Sequence, residues 1–243
     1  MAEAKDAIEK YSGVDNFKVY GNTNYVSQYI TKRFPDEIKF NFRWIDIGNF
    51  DIEVASDEGF PEPGEARHPI ISVTYKSMKS NIYHVFGLDS YDPQKTEMEL
   101  KEGELIRYVQ CKNEIDLLTK FSIFWQENCP DLITGWNIKF FDVPYLVNRI
   151  RRIFGENAPN KLSPWKKVSY REVKINGRTQ EWYEILGVQQ LDYLDVFKKF
   201  GYTFGTLASY SLDHVANVVL GERKLSYEEY GSLHTLYKEN HQK

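Results

Sequence analysis

The chain has 243 residues, 42% of them hydrophobic and 27% charged, which is enough apolar surface for a packed core and excludes a globally disordered chain. The formal net charge of −4 gives no overall basic field for non-specific nucleic-acid binding, yet a nuclease stays open, because a site for divalent cations is itself carboxylate-rich. Cys111 and Cys129 have no CxxC spacing, the five histidines have no zinc-ligand spacing, and no apolar run could cross a membrane, so the expectation is a reduced, cytoplasmic protein without a membrane partner.

In chain order, residues 2–11 read as a short helix stopped near Gly13, residues 17–20 as a strand, and residues 24–33 as ambiguous before Pro35. Residues 44–54 change to a strand pattern in which Phe50, Ile52 and Val54 alternate with Asp51 and Glu53. A Pro/Gly-rich loop covers 57–69, a strand pair 70–75 and 82–87, and a further strand 106–110. Residues 114–126 form an amphipathic helix with Ile115, Leu118, Phe121 and Trp125 at helical spacing. A short buried strand at 132–134 precedes a second helix at 143–154 that ends at Gly155. Residues 168–175 and 178–186 flank Asn176-Gly177, a strong hairpin-turn signal, and residues 193–200 and 211–220 are helical. The order points to an α/β (α+β) fold, a mixed sheet flanked by helices with a protruding hairpin.

Two short strings carry the chemistry. Asp51 and Glu53, two apart on a strand, point to one face roughly 7 Å apart. Phe50, Ile52 and Val54 anchor the other face. Such a pair repels itself unless cations intervene, and two metals about 4 Å apart fit it. Taken alone, an Asp-x-Glu pair is more often the solvated face of an edge strand. The second string, 134–145 (TGWNIKFFDVPY), follows a short strand and opens a helix, with Asp142 where an N-cap belongs and Pro144 in the first turn. Asp142 could be only a cap, and Trp136, Phe140 and Phe141 only core.

Together, FDIEV (50–54), GWN (135–137) and FDVPY (141–145) resemble the first and second exonuclease motifs of family B DNA polymerases. FPEP (60–63), LSPWKK (162–167), LDYLDVFKKF (191–200) and SYSLDHVA (209–216) are similar to the polymerases of T-even-type bacteriophages, from about Asp15 onward. The resemblance implies a ribonuclease-H-like fold, with residues 1–43 a partial N-terminal domain segment and 44–243 an incomplete 3′→5′ exonuclease domain. It implies proofreading by two-metal hydrolysis of the 3′-terminal phosphodiester of DNA, in a phage enzyme acting in the bacterial host cytoplasm. Two divalent ions, magnesium or alternatively manganese, would be held by Asp51, Glu53 and Asp142. Asn137 and Phe141 would contact the terminal nucleotide of a single-stranded primer end. Phe60 would stack on an unpaired base, or simply anchor its own loop. The hairpin would help part primer from template, and Lys166, Lys167 and Arg171 could meet phosphates or remain solvated.

The resemblance also implies a third motif, a Tyr followed four residues later by Asp, just beyond residues 240–243. The remainder of the polymerase, in the same chain or a second polypeptide, is the expected partner, and the 243 residues alone are expected to show little or no digestion. The internal match from Tyr11 to Asp15 precedes the first motif and reads as chance, while Asp192, Asp195 and Asp213 lack the Tyr. The alternative is a non-catalytic DNA-binding or interaction half of a split polymerase.

Overall fold

The structure is a computed structural model that describes residues 25–55, 59, 61–95, 100–175, 178–224, 226, 228–231 and 233–241, with Asp6, Lys10, Tyr11, Gly13 and Val14 before them. The helix expected at 2–11 falls largely outside the described residues. The strand at 17–20, Phe60 and the Asn176-Gly177 turn fall wholly outside them. The chain divides into two compact units, Met1–Phe42 and Arg43–Lys243. In the first, the ambiguous segment is helix α1 (Tyr25–Arg33), whose last turn carries Lys32 and Arg33 where the helix dipole favours cations.

The second unit is built on β1 (Ile47–Val54), whose burial alternates so that Phe50, Ile52 and Val54 are buried. The strand begins three residues later than its apolar pattern suggests. It pairs antiparallel with β2 (Ile70–Ser77), which pairs antiparallel with β3 (Ile82–Gly87). β4 (Leu105–Gln110) runs parallel to β3. On the other side of β1 lie β5 (Leu132–Gly135) and β8 (Gln189–Asp192), both parallel, giving the order β4-β3-β2-β1-β5-β8. β6 (Val168–Ile175) and β7 (Arg178–Ile185) form a separate two-stranded sheet, in register up to Ile175 opposite Arg178. The expected hairpin is therefore present. β8 escaped sequence reading because QQLD has no alternation and little β-propensity; pairing with β5 makes it a strand.

Helix α2 (Glu114–Glu127) starts at Asn113, whose side chain caps the amide of Asp116. Its buried face, Leu117, Leu118, Phe121 and Trp125, meets the sheet through rings. Phe50 stacks on Phe121 at 5.9 Å between ring centres and meets Trp125 edge-on at 6.1 Å. Burying each such ring contributes about 1.5–3 kcal/mol. Helix α3 (Asp142–Phe154) turns Val143, Leu146, Val147 and Ile150 to the same core. Helices α4 (Tyr193–Phe200), α5 (Leu212–Leu220) and α6 (Leu233–Asn240) complete the unit. Ser211 caps α5 through the amide of His214, and α6 has no counterpart among the expected elements. A six-stranded mixed sheet flanked by helices is the ribonuclease-H-like arrangement.

Candidate active site

β1 outruns β5: their register pairs stop at Asn49 opposite Thr134. Beyond that point the flank of β1 is open to side chains from the connection that follows β5. Gly135 ends β5 where a Cβ would stand 2.6 Å from the carbonyl oxygen of Phe50 and 2.4 Å from Ile138, so only glycine lets this connection lie so close to β1. The chain then turns at Asn137, whose φ of 64° is left-handed, a conformation Asn tolerates better than most residues. Asp192, buried at the end of β8, fixes the turn by accepting from the amides of Asn137 (2.9 Å) and Lys139 (3.0 Å) while capping α4 through Leu194.

This turn delivers Asp142 to β1. Its Oδ1 accepts a hydrogen bond from the amide of Ile52, 3.2 Å away, between Asp51 and Glu53 in sequence. Asp142 is 3% exposed. It does not cap α3 as expected: it is the first helical residue, Phe141 is the N-cap, and no side chain caps the helix. The physical reason is the open edge of β1, where the carboxylate reaches across to satisfy a strand amide.

Burial pushes the Asp142 carboxyl up to about 8, with repulsion from Asp51 and Glu53 adding to it and backbone amides, Ile52's among them, opposing it. Asp51 reaches solvent, yet desolvation raises it, opposed by the charge of Lys224. Half-buried Glu53 is raised by desolvation and by Asp51, against Lys224 and a hydrogen bond from Tyr237. The Tyr237 hydroxyl is driven well above its ordinary range by burial and by Glu53. Three carboxylates thus share one electrostatic field, under-compensated by the protein's own groups. Among the described residues, no group of three or more His, Cys, Asp or Glu side chains stands close enough to hold a metal. The donor chemistry nevertheless suits a hard divalent cation, since all three groups are carboxylates whose repulsion such a charge would relieve.

Lys224 and Tyr237 had no motif to announce them. Lys224 is held by its amide, which donates to Asp213 at 2.7 Å. Tyr237 lies on α6, and the residue four places on is not a carboxylate but His241, whose Nε2 is 2.8 Å from the carbonyl of Ser90. A search for Tyr followed by Asp passes over it. The three other acids act elsewhere: Asp192 in the turn, Asp195 beside Lys139 at 3.4 Å, and Asp213 under Lys224 and Arg223.

Of the expected nucleotide contacts, Asn137 and Phe141 flank the turn that carries Asp142, and the half-buried Phe141 ring leans on Tyr145 at 5.8 Å. Phe60 lies outside the described residues. Its loop is tied down behind it: Tyr145 donates to the carbonyl of His68 (2.8 Å), and Arg149 donates to those of Ala66 (3.0 Å) and Arg67 (2.8 Å). The hairpin is rooted by Tyr183, whose hydroxyl bonds Asn148 on α3. Arg171 covers Trp182 at 4.1 Å, and Lys166 and Lys167 are exposed.

The sequence profile described as "DNA polymerase family B, exonuclease domain" matches residues 12–215. The DNA-directed DNA polymerase of Escherichia phage RB69 is 34% identical over 95% of this chain and 26% of its own length. That of Enterobacteria phage T4 is 30% identical over 100% of the chain and 28% of its own length. The DNA polymerase delta catalytic subunit of Schizosaccharomyces pombe is 30% identical over 73% of the chain and 16% of its own length. The chain spans about a quarter of the length of the phage relatives it matches. The profile covers both the strand with Asp51 and Glu53 and the turn that brings Asp142 to it, and the chain belongs to the exonuclease domain of family B DNA polymerases.

Proposed function

We propose that this chain is the proofreading portion of a replicative phage polymerase, removing nucleotides from a single-stranded 3′ end of DNA, with residues 44–243 as the exonuclease domain and 1–43 as part of a preceding one. The observation that carries the reading is the bond from Ile52 to Asp142, which sets a third carboxylate against the strand that bears Asp51 and Glu53. When bound there, two magnesium or manganese ions would supply an activated water and offset charge developing on the phosphate. Asp51, Glu53 and Asp142 are the residues that would hold them, and Asp142 must release a proton to do so. The Tyr237 hydroxyl donates to the Glu53 carboxylate and partly offsets the rise that burial and Asp51 impose on it. Lys224 tempers the field that would otherwise repel the phosphate chain. Asn137 and Phe141 would seat the terminal nucleotide, and Phe60 would stack on an unpaired base. The remainder of the polymerase is the partner this role needs.

One observation favours the non-catalytic reading, a DNA-binding half of a split enzyme: no three-ligand metal group forms among the described residues. The two readings differ in whether the carboxylates take up metal. Manganese titration followed by electron paramagnetic resonance separates them. The catalytic reading expects saturable binding at roughly millimolar metal or tighter, lost in Asp51→Ala. Uptake that is absent, or unchanged in Asp51→Ala, removes the catalytic reading.

A further inference from the structure

Beyond the carboxylate cleft, the exposed aromatic rings of residues 193–210 have no role in the chemistry above. Phe197 on α4 is the centre of a ring cluster: Phe204 stacks on it at 6.1 Å, Tyr210 meets it edge-on at 6.4 Å, and Trp136 lies 6.1 Å away. Unlike a core, this cluster ends in water. Tyr202 is 78% exposed and Phe200 60%, and Tyr193 and Phe204 are exposed too. A concavity opens among Phe197, Lys198, Tyr202 and Tyr210. The Lys198 ammonium lies 5.6 Å from the Tyr210 ring, and that of Lys199 5.2 Å from the Phe200 ring. No carboxylate occurs between positions 196 and 212, in a chain whose net charge is −4.

We propose that this surface is a stacking platform for single-stranded DNA, holding bases upstream of the 3′-terminal nucleotide; the direction of the strand, though not the binding, rests on the exonuclease reading. Three features select this occupant. Exposed rings offer faces to any base, and stacking needs no sequence. Two lysines in a stretch free of acids match a phosphate backbone. A protein partner is disfavoured because lysine is depleted from interface cores, whereas exposed Lys198 lines the concavity. The platform is also continuous with the site. Trp136 belongs to the turn that carries Asn137 and Asp142, packs on Phe197 and Tyr193, and donates from Nε1 to the carbonyl of Tyr210 at 3.2 Å.

The test uses circular single-stranded DNA, which has no 3′ end, with the full chain in chelator. The platform predicts salt-dependent binding, weakened roughly 5- to 150-fold by Tyr202→Ala or Phe200→Ala. Lys198→Gln with Lys199→Gln lowers the log–log salt slope by about 1.4, at roughly 0.7 per phosphate contact. All four side chains are exposed, so circular dichroism should be unchanged. Circle binding that is absent, or indifferent to these substitutions, overturns the platform. If a trinucleotide, tested with manganese in place of chelator, still binds in an Asp51-dependent way, the exonuclease reading stands without it. Ring-dependent circle binding with no trinucleotide binding has the opposite meaning: the platform stands and the cleft reading falls. Self-association lost in Tyr202→Ala, without circle binding, identifies a protein-docking face and also overturns the proposal.

Discussion

At the scale of single residues, the fold holds a carboxyl group where its charge is disfavoured. Asp142 has an ordinary pKa of 3.8 and is pushed up to about 8. Between those values the folded chain binds more protons than the unfolded chain, so stability present at acid pH is lost as pH rises toward 8. In chelator the melting temperature should therefore fall between pH 5 and about pH 8. Asp142→Asn keeps an acceptor for the Ile52 amide and removes the titration, so its melting curve should be flatter and higher at alkaline pH while metal binding is lost. A wild-type profile that rises over this range would contradict the assignment. Tyr237→Phe tests the other side of the cleft. A hydrogen bond to a charged group contributes about 1.5–3 kcal/mol, and its loss raises the Glu53 pKa further. Protons should then compete better for Glu53, so manganese affinity should drop more at acid than at alkaline pH, with the fold intact. An affinity loss equal at both ends would assign Tyr237 a packing role only.

At the scale of elements, close approach and one buried ion pair hold the site together. Gly135→Ala would force a methyl group against the Phe50 carbonyl and Ile138. Overpacking of this kind costs about 1–3 kcal/mol, and here it would also push Asp142 off β1; urea denaturation and manganese binding should both report it. Glu114 and Arg149 are 12% and 11% exposed and share a bidentate bridge, at 2.7 and 2.6 Å, that also anchors the amide of Ile70 and the carbonyls of the loop behind β1. Removing one partner should cost about 3–5 kcal/mol, so Glu114→Gln should unfold at markedly lower urea than wild type. An unchanged midpoint would show that the loop is held by other bonds.

These two devices also mark where sequence reading runs out. Alternation at 50–54, the helical spacing at 114–126 and the hairpin flanks at 168–186 are local patterns, and each became the element it implied. The end of Asp142 at the Ile52 amide is not local. It follows from β5 stopping short of β1, which no spacing encodes, so a carboxylate with the sequence signature of a cap takes a strand amide instead. Tyr237 and Lys224 reach Asp51 and Glu53 from nearly the other end of the chain, and neither helix α6 nor its tyrosine had a pattern to reveal it.

At the scale of the whole molecule, residues 43–243 form one compact unit in which sheet, turn and last helix bring Asp51, Glu53, Asp142 and Tyr237 within each other's electrostatic influence. The charge balance fits an enzyme that meets DNA through a local surface: the chain carries −4 overall, while the stretch beside the second motif is free of acids and rich in rings. The most direct test is the product ladder from a 5′-labelled single-stranded oligonucleotide incubated with the chain and manganese. The account predicts at most slow shortening by the 243 residues alone, stepwise from the 3′ end, suppressed by chelator and abolished by Asp51→Ala. Shortening that persists undiminished in Asp51→Ala, or that proceeds from the 5′ end, would contradict it.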